Sequence, residues 1–175
     1  MLQRDAGLTH AESALTADVI AQGRALILCL NKVDMASKKE LQTILNLVQR
    51  DIEDVIPEVG SATILPMSAL NGVGTPKLLP SIISAYSQWN RRISTGKLNS
   101  WLQKEISRYI EGGGKDISRI KYLSQVKSRP PTFVAFLSGK AQLGESTQRF
   151  VANKLRQEFS LDGVPLRILF RNKIA

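Results

Sequence analysis

The sequence predicts an α/β unit over residues 1–90 followed by an α+β unit over residues 91–175, on three observations. First, an unbroken apolar run, Ala25-Leu26-Ile27-Leu28-Cys29-Leu30, switches sharply to Asn31-Lys32-Val33-Asp34. Such a run reads as a strand buried on both faces whose carboxyl end opens into a site. Second, the element order beyond Trp89 is helix-strand-strand-helix-strand, which describes a three-stranded sheet backed by helices. Third, charge divides the chain: residues 1–90 carry seven Lys+Arg against nine Asp+Glu, residues 91–175 seventeen against six. An acidic-to-neutral unit joined to a strongly basic one points to a polyanion as the second unit's partner.

Thr9-His10-Ala11-Glu12 has capping-box spacing, and Leu15, Val19 and Ile20 follow at helical intervals up to Gly23, a C-terminal stop. After the first strand, Ser37-Lys38-Lys39-Glu40 repeats the box, and Leu41, Ile44, Leu45, Val48, Ile52 and Val55 form a helical stripe that Pro57 ends. Ala62 to Met67 is a second strand. A strand-helix-strand unit of this length implies a parallel pair with a right-handed crossover, so both strands end on the same side. There stand Ser68-Ala69-Leu70 and Asn71-Gly72-Val73-Gly74. Thr75-Pro76 opens a third helix carrying Leu78, Leu79, Ile82, Ile83, Tyr86 and Trp89.

In the basic half, Ser94 or Thr95 caps a helix carrying Leu98, Trp101, Leu102, Ile106 and Tyr109. Ile120, Tyr122, Ser124 and Val126 alternate with Lys121, Leu123, Gln125 and Lys127, the pattern of a half-exposed strand with a partly basic outer face. Pro130-Pro131 breaks it, Phe133 to Leu137 begins the next strand, and Glu145 to Phe159 is an amphipathic helix with Arg149, Lys154 and Arg156 outward. Asp162-Gly163 turns into a last strand, Pro165 to Arg171. Phe133, Phe136, Trp101 and Tyr109 sit at core-like spacing and read as packing rather than base-stacking groups.

Composition narrows the class. The single cysteine, Cys29, allows no intrachain disulfide and reads as a buried, inert thiol in a reducing compartment. No apolar run approaches the roughly 18 residues of a membrane span. The only histidine, His10, has no nucleophile or ligand partner spaced around it and is assigned no role. Glu111-Gly112-Gly113-Gly114-Lys115 is a glycine-rich loop, but no Gly-x-x-x-x-Gly-Lys-Ser/Thr occurs in the sequence, so it is not read as a phosphate loop.

Asn31-Lys32-Val33-Asp34 after a buried strand, with Ser68-Ala69 ending the next parallel strand, resembles the base-recognition elements of GTP-binding proteins. That resemblance implies that Asp34 accepts from the ring N–H and exocyclic amine of guanine, Lys32 lies along the base and Asn31 braces the loop. It also implies that Ser68 helps hold that loop while the backbone at Ala69 reaches the guanine carbonyl. Adenine offers the carboxylate no matching donors and would be rejected.

Further stretches are similar to the bacterial and organellar GTPase Der (EngA) family: Leu78-Leu79-Pro80, Trp89-Asn90-Arg91-Arg92-Ile93-Ser94-Thr95, Leu98-Asn99, Gln125-Val126-Lys127-Ser128-Arg129-Pro130-Pro131-Thr132-Phe133 and Leu161-Asp162-Gly163-Val164-Pro165. The resemblance implies a fold in two parts: the C-terminal half of a P-loop GTPase domain over 1–90 and a KH-like domain over 91–175. It implies GTP or GDP as ligand, with Mg²⁺ only in the intact family domain, and a role in large ribosomal subunit assembly with rRNA and ribosomal proteins as partners. No membrane partner and no DNA specificity are expected. The compartment would be a bacterial cytoplasm, a chloroplast stroma or a mitochondrial matrix. For the basic half, Lys121, Lys127, Arg129 and Arg167 are the expected rRNA-facing residues.

The sequence departs from the family in lacking a phosphate-loop lysine, a Mg²⁺-holding Ser/Thr and an Asp-x-x-Gly switch. Phosphoryl transfer depends on positioning phosphates and Mg²⁺, so this chain should select a base without hydrolysing GTP by itself. A truncated copy with an open edge at the first strand is expected. The competing reading is a non-catalytic RNA- or protein-binding module in which the first unit is a vestigial scaffold.

Overall fold

The structure is a computed structural model that describes residues 7–56, 62–111, 116–139 and 142–172. The chain divides into two compact units, Met1–Trp89 with Asp162–Pro165, and Asn90–Leu161 with Leu166–Ala175. No described helix is long and apolar enough to cross a membrane.

In the first unit, helix α1 (His10–Ala21) begins as its capping box requires. The Thr9 hydroxyl accepts from the Glu12 N–H, and the Glu12 carboxylate accepts from the Thr9 N–H at 2.8 Å and its hydroxyl at 2.7 Å. Gly23, at φ +76°, turns the chain out of the helix. Strand β1 (Ile27–Leu30) pairs in parallel with β2 (Thr63–Pro66), Ile27 opposite Thr63 and Leu30 opposite Pro66. Helix α2 (Lys38–Val55) makes the crossover, capped by the second box at Ser37 and Glu40. Ile20, Leu26, Leu30, Ile44, Val48, Ile52, Ile56 and Ala62 form the core of this unit. Pro57, the expected stop of α2, lies outside the described residues, as does most of the glycine-rich loop after Glu111.

The Thr9 bonds hold the Glu12 carboxyl below its ordinary value of 4.5. A lowered folded-state pKa favours the folded form above the unfolded value, and the contribution disappears as pH falls through the folded one. The first turn of α1 should therefore loosen below about pH 4.5. Amide exchange at Glu12 and Ser13 reads this directly, and E12Q should abolish the pH dependence.

Burial of β1 departs from expectation. Its even side, Leu26 and Leu30, is in the core, but Cys29 is exposed and Ile27 and Leu28 are only half-buried. The reason is the width of the sheet: two described strands give β1 one pairing neighbour, and the second face is not closed. Helix α3 (Leu78–Trp89) likewise buries only Ala85 fully, leaving Leu79, Ile82, Ile83 and Tyr86 exposed. It is tied to the unit by the Trp89 indole, which donates to the Gly23 carbonyl at 2.8 Å.

The second unit contains α4 (Thr95–Glu111), β3 (Ile120–Ser128), β4 (Pro131–Leu137), α5 (Glu145–Phe159) and β5 (Arg167–Asn172). The sheet order is β3-β4-β5, antiparallel then parallel. Leu98, Leu102, Leu123, Phe133, Ala135, Val151, Leu155 and Leu161 are fully buried, and the Trp101 and Phe159 rings meet edge-on at 5.9 Å. Both carbonyl and amide of Leu123 are taken by the Asn99 side chain, at 2.9 Å each, which seals that edge of β3.

Strict alternation fails in β3. Register shifts between Ile120 and Tyr122 and between Gln125 and Lys127 each insert one residue. Ile120 and Leu123 both fall inside, while Lys121, Tyr122, Val126 and Lys127 are exposed. A bulge sets two residues against one and re-aims everything beyond it, so period-two reading puts Tyr122 on the wrong face. Cross-strand partners share a face. Tyr122, Phe136 and Arg171 accordingly form one row across the sheet, and Lys127, Thr132 and Arg167 another.

Arg156 was expected to point outward and instead is 3% exposed. Ser160, at φ +49°, folds the chain back so that the Leu161 N–H donates to the Arg156 carbonyl at 3.0 Å, covering the last turn of α5. The guanidinium Nη1 donates to Asn153 Oδ1 at 3.2 Å.

Candidate guanine-recognition site

Both loops of the site emerge from the same end of the parallel pair. The ladder runs one step beyond the strands: the Met67 N–H donates to the Leu30 carbonyl at 2.9 Å and the Val33 N–H to the Met67 carbonyl at 3.3 Å. This fixes the first loop against the second. Lys32 sits at φ +66°, ψ 33°, in the left-handed region, and a short turn over Val33–Met35 follows. Left-handed backbone at a lysine is unfavourable unless neighbouring bonds impose it.

Asn31 supplies those bonds. Its side-chain oxygen accepts from the Lys32 N–H at 2.9 Å and from the Ala69 N–H at 3.0 Å. One amide thus shapes its own loop and links it to a loop 38 residues away. The second loop has its own frame. The Ser68 N–H donates to the Val73 carbonyl at 2.8 Å, the Gly72 N–H to the Ser68 carbonyl at 3.0 Å, and the Thr75 hydroxyl to the Gly72 carbonyl at 2.7 Å.

Asn31, Lys32, Asp34 and Ala69 are exposed, whereas Ser68 is 0% exposed. The Ser68 hydroxyl makes no hydrogen bond among the described residues. In this structure Asn31 makes the link between the loops. Asp34 follows the left-handed Lys32 and its carboxylate is solvated. A solvated carboxylate facing outward beside a braced backbone can accept two parallel N–H donors from a planar base. Gly72 and Gly74, both at positive φ, shape the second loop, and two glycines one residue apart beside Ser68-Ala69 are its signal in the sequence.

No group of three or more His, Cys, Asp or Glu suited to a metal occurs among the described residues. His10 is exposed in the first turn of α1. Of the four basic residues singled out in the second unit, Lys127 and Arg167 lie in one row across Thr132. Lys121 sits at the first bulge with its ammonium donating to the Ser118 carbonyl at 2.9 Å, and Arg129 is exposed in the turn between β3 and β4.

Residues 92–171 match the KH-domain-like family of EngA bacterial GTPase enzymes, C-terminal, and residues 3–88 match the elongation factor Tu GTP-binding domain. Relatives include proteins named GTPase Der. That of Parvibaculum lavamentivorans is 40% identical over 89% of this chain and 33% of its own length. That of Azorhizobium caulinodans is 37% identical over 89% of this chain and 34% of its own. Over most of its length the chain is similar to the GTPase Der (EngA) family. Residues 3–88 match a GTP-binding domain and residues 92–171 the family's KH-like domain. A GTPase Der of Rickettsia africae is 29% identical over 97% of this chain and 38% of its own length. The chain thus spans about one third of the length of the curated relatives it matches.

Proposed function

We propose that this chain carries the base-selecting part of a guanine nucleotide site, with Lys32, Asp34 and the Ala69 backbone against the base and Asn31 and Ser68 in the loops that hold them, and a KH-like unit that meets large-subunit rRNA during ribosome assembly. The observation that carries the first half is the Asn31 bridge: it sets Asp34 and the Ala69 backbone at one end of one parallel strand pair, as recognition of two edges of a purine requires. Selection is separate from hydrolysis. These residues recognise a base, and the phosphates and Mg²⁺, which supply much of a nucleotide's affinity and the means of phosphoryl transfer, call for groups this sequence does not contain. Binding by this chain should therefore be weak and base-specific. The relatives are bacterial, which supports a cytoplasmic setting with ribosomal particles as partners.

Calorimetry with GDP–Mg²⁺, and NMR titration with guanosine against adenosine, test the site. Shifts at the Ala69 and Lys32 amides with guanosine and none with adenosine are expected. No guanine-dependent heat or shift up to millimolar would leave the alternative, an RNA- or protein-binding module on a scaffold, and Asp34→Asn would then be silent. For the basic unit, affinity for rRNA should fall as salt rises through Lys121, Lys127, Arg129 and Arg167, since neutralising phosphates releases counterions. Salt-independent binding would remove that account.

A further inference from the structure

We propose that the open face of the three-stranded sheet in the second unit is a stacking surface for single-stranded RNA, with bases on Tyr122 and Phe136 and phosphates along Lys127, Arg167 and Arg171. The inference rests on the RNA-facing role proposed for this unit and names the chemistry by which the strand is held.

The opposite face of the sheet carries Leu123, Phe133, Ala135 and Leu137, all buried, and is the one packed into the core. The open face is built by the first bulge of β3, which brings Tyr122 opposite Phe136. Their rings lie 6.1 Å apart between centroids at 47°, and Tyr122 is 44% exposed. Leu169, 45% exposed, extends the apolar surface from the neighbouring strand. Tyr122 and Leu169 are exposed and Phe136 is half-buried, so this face keeps aromatic and apolar area in reach of solvent at its flanks, while Thr132 and Val134 at its centre are buried.

The charge on this face has one sign. Lys127, Arg167 and Arg171 are exposed: Arg171 borders the rings in their own row, Lys127 and Arg167 stand in the row through Thr132 four residues along β4, and no acidic residue occurs in β3, β4 or β5. Arg167 and Arg171 stand four residues apart on β5, about 13 Å along the strand. That spacing follows a charged backbone rather than enclosing one anion. Stacking platforms flanked by cations are how single strands are held without reading their sequence, because every base has a π-face. A duplex keeps its bases stacked inside and offers this surface only phosphates. The register thus favours an unpaired strand over a double helix, and the uniform positive border favours RNA over an acidic protein segment only if the rings are used.

Fluorescence anisotropy of the full chain with a labelled single-stranded RNA dodecamer of mixed sequence, and with the same RNA as a duplex, tests this. The single strand should bind more tightly. Tyr122→Leu and Phe136→Leu should each weaken it about 5- to 150-fold, while Tyr122→Phe keeps the ring and the affinity. Arg171→Gln should lower the salt slope by about one. Ring variants that melt like the parent and bind the single strand as tightly would overturn the stacking inference while leaving salt-dependent RNA binding in place. No binding of either RNA at low salt would overturn both readings. Poly-glutamate bound in a Tyr122-dependent manner, with RNA ignored, would assign the face to an acidic protein and overturn the proposal. Because a leucine can perturb the sheet, 3-fluorotyrosine labelling supplies a second reading without it. Of the three tyrosines, the resonance lost in Tyr122→Phe should move on adding RNA. A stationary resonance in the presence of bound RNA counts against stacking.

Discussion

Asp34→Asn should exchange guanine for xanthine as the preferred base. Guanine presents a ring N–H and an exocyclic amine side by side, and two carboxylate oxygens accept both. The asparagine amide keeps one acceptor and turns its other arm into a donor, which meets the guanine amine donor to donor. Xanthine carries a carbonyl in place of that amine and restores a matched pair. The size of the effect depends on exposure: hydrogen bonds to a charged group contribute about 1.5–3 kcal/mol, and since Asp34 is solvated the low end applies. About a tenfold loss for guanosine is therefore expected. Inosine, which lacks only the amine, separates the two contacts. The parent should prefer guanosine over inosine, and Asp34→Asn should show no such preference. NMR titrations with guanosine, inosine and xanthosine measure all three, and unchanged guanosine binding in the variant would exclude Asp34 from the base contact.

What could be read from the sequence was what is written locally. Thr9 with Glu12 and Ser37 with Glu40 satisfy their own helix N-termini within four residues, and both boxes stand as expected. Helix α5 spans Glu145–Phe159 as its stripe indicates. The positions of the two loops at the ends of β1 and β2 were legible for the same reason, since each motif lies within four residues at a strand end. The residues misread depend on distant partners. Tyr122 faces outward because of a bulge defined only by pairing with β4. Arg156 is buried where the chain turns back at Ser160 and the Leu161 N–H bonds its carbonyl, and Cys29 is exposed where β1 has one described neighbour rather than two. Hydrophobicity sets which residues can be buried, but the layer that covers them decides which are. Even inside the site, the Asn31–Ala69 bond joins two motifs that sequence could only place side by side.

Gly74→Ala should damage both the fold of the first unit and the site, without touching any base-contacting residue. Gly74 sits at φ +77°, and a Cβ there would stand 2.4 Å from the Pro66 carbonyl oxygen, 3.0 Å from the Met67 Cα and 3.2 Å from its Cβ. The left-handed backbone alone costs a non-glycine residue about 1–2 kcal/mol. The clash adds to it because the atoms met are backbone at the end of β2, which is held by the Met67 bond to Leu30 and cannot swing away like a side-chain tip. The loop must therefore lift, and with it the Ser68 N–H bond to Val73 and the Ala69 N–H bond to Asn31. Gly72→Ala separates the two terms. Its φ is nearly the same, +79°, but the nearest atom is the Thr75 hydroxyl oxygen at 3.8 Å. Gly72→Ala should cost only the conformational part, about 1 kcal/mol. Gly74→Ala should cost more than about 2 kcal/mol, speed exchange at the Ala69 amide and weaken guanosine binding. Equal melting temperatures and equal Ala69 exchange for the two variants would mean that close packing of Gly74 against β2 does not hold the second loop in place.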